Sequence, residues 1–333
     1  MISTKKNIPA QCLIFFIYYI LICLFLYAFS AVALKNRIII NVWPFLEYQR
    51  HFYYSGYRNI WQNQSECVKV DKELIYSPKD GRCEFKNAEF NTSLSFSKMG
   101  RINPDKNFSS KKGIAVIGDS HAMGWGVNDE ETFSGILQNK LIKPVYNLSV
   151  SSYGTFREIK RLKLSGLIDK VDTIIIQYCD NDLGENKEMV LDPHIDKKID
   201  DFQKNLANKN INKKSSLSLA KDYVKFSIRH PVKKALSYLH KNKKNKNFQS
   251  HSVPFKEVIK YYEQDLKNKR IIVFYSNAWG GRFYNFPSGQ DQDYLNLFFY
   301  DLNLTKDLYY NVDDHLKPIG HKKIADELIK IIK

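Results

Sequence analysis

The pattern of apolar and polar positions changes character at about residue 112. From there, short apolar runs alternate with amphipathic stretches, which predicts an α/β domain with a mainly parallel sheet. The runs predicted as strands are 113–117, 145–150, 171–178 and 270–275. The stretches predicted as helices are 129–140, a segment ending near 164, 290–302 and the amphipathic C-terminal 318–332.

An apolar run near the N-terminus is the chain's membrane signal. Residues 13–34 carry no charge over roughly the 20 residues that a helix needs to cross a bilayer core. Lys5 and Lys6 precede the run, which favours a cytoplasmic N-terminus over residues 1–12. We therefore expect an uncleaved anchor, with the remaining chain outside the cytoplasm (periplasmic in a Gram-negative cell). A signal peptide cleaved near Ala31-Val32-Ala33 is the alternative.

The segment after the anchor, residues 35–111, is rich in aromatic residues but has no sustained helical or strand period. We interpret it as a stalk or lid that carries no chemistry of its own. Within it, Cys67 and Cys83 flank a polar loop in which Pro78 and Asp80-Gly81 favour turns. Such turns could bring the sulfurs together, and a disulfide would fit an oxidising compartment. Two unrelated thiols are the alternative.

The chain is basic, with 51 Lys+Arg against 35 Asp+Glu and a net charge of +16. Much of the excess lies in a lysine- and asparagine-rich insertion at about 186–250, with helical patches around 217–228 and 231–240. The insertion lacks the interleaved Arg and aromatic residues of a base-stacking surface. This argues against a nucleic-acid partner and favours acidic glycan or lipid headgroups.

Candidate groups for nucleophilic acyl transfer follow the predicted strands. This chemistry needs a hydroxyl, a base, a carboxylate that orients the base, and hydrogen-bond donors for the oxyanion. Ser120 directly follows the first strand, and His315 with Asp313 lies in a turn-like run near the C-terminus. The backbone N–H groups of Ser120 and Gly154 and the amide of Asn181 are candidate oxyanion donors.

A metal site is the other chemistry that a histidine beside aspartates suggests. No further His or Asp lies at helical ligand spacing from His315, so we expect no metal site. His121 could contact substrate or fill space at the helix entry, and His321 is expected to support the last helix.

Four sequence blocks resemble those of the SGNH (GDSL-like) hydrolases in order and spacing. They are Gly118-Asp119-Ser120-His121, Ser151-Ser152-Tyr153-Gly154, Asp180-Asn181-Asp182, and the nine residues from Asp313 to His321. The resemblance covers about residues 112–333. It implies a three-layer α/β/α sandwich of flavodoxin-like type, a Ser-His-Asp triad, an oxyanion hole and no cofactor.

The chain departs from this family pattern at two positions. The family often places its acid three residues before the histidine, where this chain has Val312. A two-residue spacing occurs in members that act on envelope polysaccharides, which favours Asp313 over Asp314. The usual glycine before Asn181 is also absent, and Asp180 stands there.

From these features we expect a serine esterase that removes O-acetyl groups from cell-envelope carbohydrate through a Ser120 acyl-enzyme. Its partner would be an acylated envelope glycan or lipid, with membrane attachment through the N-terminal helix. Three alternatives remain: an O-acetyltransferase acting on a glycan, a lysophospholipase or thioesterase, and a non-catalytic glycan-binding domain.

Overall fold

The computed structural model describes residues 10–104, 107–108, 112–191, 196–207, 218, 221–229, 251–276, 288–294 and 296–333. The chain forms two compact units. The first unit comprises residues 1–58, 212–246 and 311–313, and the second comprises 59–211, 247–310 and 314–333.

The secondary structure of the described residues is as follows. The helices are α1 (Ala10–Lys35), α2 (Phe45–Phe52), α3 (Ser120–Met123), α4 (Phe133–Lys140), α5 (Thr155–Leu164), α6 (Asp182–Leu191), α7 (Asp196–Ala207), α8 (221–229), α9 (Ser252–Tyr261), α10 (Glu263–Leu266) and α11 (Pro318–Ile332). The strands are β1 (Val68–Asp71), β2 (Ile75–Pro78), β3 (Gly81–Lys86), β4 (Asn91–Ser97), β5 (Gly100–Arg101), β6 (Gly113–Gly118), β7 (Val145–Asn147), β8 (Val171–Tyr178), β9 (Arg270–Tyr275), β10 (Gly289–Gln290) and β11 (Leu297–Tyr300).

The first unit is built on the apolar helix α1. This helix is long and apolar enough to cross a membrane, with a mean hydropathy of 2.6. Helices α2 and α8 pack against it through a small cluster that includes Cys23, Tyr48 and Tyr223. A π-helical turn over Tyr53–Tyr57 follows α2.

The second unit contains a nine-stranded sheet in the order β10-β11-β9-β8-β6-β7-β5-β4-β3. Its centre is parallel: β6 pairs with β7 and β8, and β9 pairs with β8 and β11. The two edges are antiparallel, formed by β10 on one side and the β5-β4-β3 meander on the other. The carboxyl ends of the parallel strands therefore meet along one edge of the sheet.

Two apolar layers cover the faces of this sheet. Ile174 and Ile176 point into the layer shared with α5 and α9, whereas Ile175 between them points into the layer shared with α4 and α11. Because successive side chains of a strand face opposite sides, β8 is buried on both faces. The predicted three-layer α/β/α sandwich with a mainly parallel sheet is thus confirmed.

Several predicted elements differ from the structure. The predicted helix 290–302 is wrong, because β10 and β11 lie in that range and β11 pairs in parallel with β9. The run Leu297–Tyr300 is apolar and aromatic, and pairing with a distant strand decides its conformation. The second strand ends at Asn147 rather than at 150, and the helix predicted from 129 begins only at Phe133, after a 3-10 turn.

Residues 35–111 do not form one stalk, because they are divided between the two units. Those up to Arg58 belong to the first unit, whereas β3, β4 and β5 extend the sheet of the second. The predicted disulfide between Cys67 and Cys83 is present, with the two Cα atoms 6.0 Å apart. It joins the residue before β1 to β3, so it closes the local hairpin region.

The lysine-rich insertion predicted at 186–250 is partly described. Its first residues continue helix α6, and α7 follows. The predicted helical patch around 217–228 corresponds to α8, whereas the patch at 231–240 lies outside the described residues.

Candidate active site

Ser120 lies at the carboxyl end of the central strand β6 and is the first residue of α3. Asp119 caps this short helix, because its Oδ1 accepts the backbone N–H of His121 at 2.8 Å. Gly118 has φ of 156°, and a Cβ there would lie 2.7 Å from the Cβ of Ala122. A glycine is therefore needed at the bend that presents Ser120, which is half-buried.

His315 brings its imidazole to this serine. The distance from His315 Nε2 to Ser120 Oγ is 2.7 Å, although the two residues are 195 positions apart in the sequence. The backbone around the histidine is braced, since Tyr310 N donates to His315 O at 2.8 Å and Lys317 N donates to Leu308 O at 2.9 Å. The imidazole is thus held within the range in which it can accept the hydroxyl proton.

His121 has a defined place beside the base. Its ring stacks on that of His315 with the centroids 4.8 Å apart and the planes at 26°. Its Nδ1 lies 3.3 Å from Ser276 Oγ, and that hydroxyl lies 3.1 Å from Tyr309 Oη. His121 therefore limits the movement of the His315 ring. Its position next to Ser120 is the only sequence signal for this role.

Asp313, the predicted acid, is held by residues of the first unit. Tyr53 donates its hydroxyl to Asp313 Oδ2, and Arg58 Nε lies 3.3 Å from the same oxygen. Tyr54 donates to the backbone carbonyl of Asp313 at 2.7 Å. The Asp313 carboxylate is only 1% exposed, so these groups replace the water that would otherwise stabilise its charge.

Burial, followed by the charge of Asp313, raises the pKa of Tyr53, so its hydroxyl stays a donor throughout the physiological pH range. Burial lowers the pKa of Arg58, but Asp313, Tyr54 and Tyr53 together raise it by more, so the net shift of this pKa is upward. Sequence reasoning missed both residues, because they lie in the aperiodic segment that was interpreted as a stalk. A π-helical turn, a feature frequent at functional sites, carries Tyr53.

The predicted oxyanion donors have partners of their own. Gly154 N donates to Glu185 Oε1 at 2.9 Å, and Arg157 Nε donates to the same oxygen at 2.7 Å. Asn181 is exposed and its side chain forms a hydrogen bond to Asp119. The role of Gly154 in an oxyanion hole stays a prediction that requires Glu185 to release this N–H.

Two carboxyl groups are buried close to these residues. Glu158 on α5 is 1% exposed and Asp182 at the start of α6 is fully buried. Burial raises the pKa of Asp182 well above its usual range, and the nearby Asp119 adds to this. Burial, followed by the nearby Asp182, likewise raises the pKa of Glu158 well above its usual range. Burial therefore favours the protonated form of both carboxyl groups.

His321 and Asp314, the remaining candidates from the sequence, are both buried. His321 is fully buried, and its Nδ1 accepts the backbone N–H of Phe133 at 3.2 Å, which joins α11 to the start of α4. Burial, followed by the charge of Arg101, lowers the pKa of His321 to about 3. Asp314, the alternative acid, has φ of 69° and is largely buried. Within the described residues, no group of three or more His, Cys, Asp or Glu could hold a metal ion.

No family model and no curated protein matches the chain. Among solved structures, it is similar to the esterase EstA from Pseudoalteromonas sp., with 14% identity, 66% of this chain and 96% of that chain covered, and a TM-score of 0.36. It is similar to a member of the lipolytic protein G-D-S-L family from Veillonella parvula, with 10% identity, coverages of 66% and 97%, and a TM-score of 0.34. It is also similar to a family two carbohydrate esterase from Clostridium thermocellum, with 12% identity, coverages of 70% and 66%, and a TM-score of 0.36.

Proposed function

We propose that the chain is a serine esterase with Ser120 as nucleophile, His315 as general base and Asp313 as the acid that orients the base. The observation that carries this proposal is the 2.7 Å separation of His315 Nε2 and Ser120 Oγ at the carboxyl end of β6. A hydroxyl at this distance can pass its proton to an imidazole as it attacks a carbonyl carbon.

The proposed reaction has two halves. Ser120 Oγ bonds to the ester carbonyl carbon, its proton moves to His315 Nε2, and the alcohol leaves with that proton as the acyl-enzyme forms. A water then attacks the acyl carbon and gives a proton to His315, which returns it to Ser120 as the acid departs. The Ser120 N–H and the Asn181 amide are the proposed oxyanion donors, joined by Gly154 N–H when Glu185 moves away.

The proposed substrate is an O-acetyl ester of cell-envelope carbohydrate, reached by a chain that α1 attaches to a membrane. The length and hydropathy of α1 support this attachment. The Cys67–Cys83 disulfide supports an oxidising compartment outside the cytoplasm. The net charge of +16 supports an acidic glycan at the membrane surface.

The test uses the full chain in detergent micelles with p-nitrophenyl acetate, acetylated glycans and a fluorophosphonate probe. We expect turnover of two-carbon esters and labelling of Ser120. Ser120→Ala should lower kcat by about 10⁴-fold or more, and His315→Ala should abolish labelling. Ser95→Ala, a serine of β4 outside the site, is the matched control and should keep full activity.

Two results would contradict the proposal. Turnover that persists in Ser120→Ala would exclude Ser120 as nucleophile. A clear preference for long-chain over two-carbon esters would favour the lipid-hydrolase alternative, while the same triad would still be required.

A further inference from the structure

The hairpin of β3 and β4 has two unlike faces. Its inner face contributes Phe85, Leu94 and Phe96 to the apolar core. Its outer face carries polar side chains, which lie opposite one another as Arg82 with Ser95, Glu84 with Ser93, and Lys86 with Asn91. Because successive side chains of a strand point to opposite sides, a hairpin with one polar face can present that face to solvent or to a ligand.

A cavity of about 380 Å³ borders this outer face. We call it the β3–β4 trough, and the polar residues that line it are Arg82, Glu84, Lys86, Asn91, Ser93 and Asn128. The buried cross-strand pair Phe85 and Thr92 completes the lining. Pockets that hold small molecules usually have volumes of about 300–1,000 Å³, so the trough is large enough for a ligand of that kind.

The loop that follows Ser120 forms one side of the trough. Asn128 lies in this loop, and its Oδ1 accepts the backbone N–H of Ser93 at 3.1 Å. The backbone N–H of Asn128 donates to Glu131 Oε2 at 2.9 Å. The amide of Asn128 is thus held against β4, and one short stretch of chain joins the trough to the nucleophile.

The base is also connected to this hairpin. The ring of Phe90, between β3 and β4, lies 5.7 Å from that of Trp125 and 5.4 Å from that of Tyr310. Tyr310 N donates to His315 O at 2.8 Å. A chain-like ligand in the trough therefore lies beside the elements that carry both Ser120 and His315.

The uncharged groups of the trough suit the hydroxyl groups of a sugar. A sugar hydroxyl both donates and accepts hydrogen bonds, and so do the amides of Asn91 and Asn128 and the hydroxyl of Ser93. Asn91 is exposed, and Ser93 and Asn128 are half-buried, so all three are accessible from solvent. The side-chain nitrogen of Asn128 forms no hydrogen bond with another described residue.

The charged groups of the trough favour an acidic sugar over a neutral one. Arg82 and Lys86 carry positive charge, Glu84 carries negative charge, and all three are exposed. Neither cation forms an ion pair with any residue that the structure describes. A guanidinium can bind a carboxylate through two parallel hydrogen bonds, so Arg82 is suited to a uronate group.

The lining also argues against two other classes of ligand. Among the described residues that line the trough, the one aromatic side chain is Phe85, which is only 1% exposed. An acyl chain needs an apolar wall, and a nucleobase needs an exposed ring on which to stack. The trough offers neither of these surfaces.

We propose that the β3–β4 trough binds the sugar units of an acidic polysaccharide next to the unit whose ester is cleaved, with Arg82 and Lys86 holding carboxylate groups. The proposal rests on the esterase function proposed above, and it assigns the selection of the glycan to this hairpin. Ser120 and His315 carry the chemistry, whereas the trough places the polysaccharide.

The test measures binding to the full chain in detergent micelles with Ser120→Ala, so that turnover does not consume the ligand. The acidic probe is a fluorescently labelled galacturonate hexamer. Arg82→Gln with Lys86→Gln should raise its Kd by about tenfold or more, because two charge-assisted hydrogen bonds are lost. Glu84→Gln removes a repelling carboxylate and should lower the Kd by about twofold.

The matched control removes the same charge elsewhere in the second unit. Lys322→Gln with Lys330→Gln changes two exposed lysines of α11 and should leave the Kd unaltered. An equal increase in both double variants would overturn the proposal, because net charge alone would then explain binding. A Kd that does not respond to the change at Arg82 and Lys86 would overturn it as well.

Two further probes test the class of ligand. Labelled maltohexaose, which is neutral, should bind about tenfold more weakly than the galacturonate hexamer, and equal binding would overturn the preference for an acidic sugar. Labelled hexaglutamate carries carboxylates without sugar hydroxyls. Binding of hexaglutamate as tight as that of the galacturonate hexamer would overturn the assignment to a saccharide and indicate an acidic peptide instead.

Hydrolysis by the chain that retains Ser120 separates this proposal from the esterase function. With acetylated polygalacturonate as substrate, the change at Arg82 and Lys86 should raise KM more than it lowers kcat. Hydrolysis of p-nitrophenyl acetate without binding of the galacturonate hexamer would overturn the trough alone. Binding that depends on Arg82 and Lys86, without hydrolysis of any ester, would overturn the esterase and support a glycan-binding trough.

Discussion

At the scale of single residues, the surroundings of Asp313 explain how a nearly inaccessible carboxylate can keep its charge. Tyr53 donates to it and Arg58 supplies a positive charge 3.3 Å away. A buried carboxylate without such partners would take up a proton and lose its ability to orient an imidazolium.

We expect Tyr53→Phe to lower kcat/KM by about tenfold, because a hydrogen bond to a charged group contributes about 1.5 kcal/mol or more. A carboxylate with fewer donors is more basic, so the acidic limb of the kcat/KM profile should move to higher pH. The measurement is the pH profile of p-nitrophenyl acetate hydrolysis.

Tyr54→Phe is the control for this change. Tyr54 donates to the backbone carbonyl of Asp313 and not to its carboxylate, so its loss should leave the acidic limb in place. Equal pH shifts in both variants would show that Tyr53 acts only through the local packing.

Glu158 carries a pH dependence of stability with a defined sign. Its pKa in the folded chain lies well above the value of 4.5 expected when the chain is unfolded. The folded state therefore binds more protons than the unfolded state. The free energy of unfolding decreases as the pH rises from about 4.5 through the pKa of Glu158 in the folded chain. We expect Glu158→Gln to remove this loss.

The melting temperature of Glu158→Gln relative to the unchanged chain should therefore increase from pH 4 toward pH 9. The quantity to compare is how this difference in melting temperature changes with pH, because the amide also alters local hydrogen bonding by an amount that does not depend on pH. A flat difference across this range would contradict a raised pKa. Glu84→Gln, an exposed glutamate of β3, should give a flat difference.

At the scale of elements, β5 stabilises the turn that follows the nucleophile. Arg101 donates to the carbonyls of Met123, Gly124 and Val127, each at 2.6 Å. Its Nε also pairs with Asp129 at 2.8 Å. One buried side chain therefore closes the end of α3 and the loop after it, where Gly124 has φ of 81°.

We expect Arg101→Met to lower the free energy of unfolding by about 3 kcal/mol, because it leaves several buried acceptors without a donor. Denaturant unfolding measures this effect, and residual activity should fall as the Ser120 turn loosens. Arg82→Met, on the exposed side of β3, is the matched control and should change stability by less than about 0.5 kcal/mol. Similar losses in both variants would refute the bracing role.

At the scale of the whole molecule, the net charge of +16 sets the long-range attraction to anions. Exposed charges more than a Debye length apart are screened, and that length falls from about 10 Å at 0.1 M salt to about 3 Å at 1 M. An electrostatic attraction to an acidic glycan should therefore disappear within this range.

We expect the full chain in neutral detergent micelles to bind dextran sulfate beads at low salt and to be released as salt increases. Neutral dextran beads should retain little protein at any salt concentration. Retention on neutral dextran as strong as on dextran sulfate would instead indicate recognition of the sugar itself.

The features that the sequence by itself determined are those encoded by local patterns. The buried strands 171–178 and 270–275, the apolar helix α1 and the turn at Ser120 each depend on hydrophobic period or on neighbouring residues. The pairing of Cys67 with Cys83 could also be predicted from the sequence, because only a short turn-rich loop separates the two cysteines.

Only the tertiary structure decided the features that join distant segments. The contact of Ser120 with His315 spans 195 positions, and that of Tyr53 with Asp313 spans 260. The strand β11 and the packing of α8 on α1 likewise depend on partners far along the chain. Local propensity carries no information about such partners, since strand pairing and the burial of polar groups are settled when the whole chain packs.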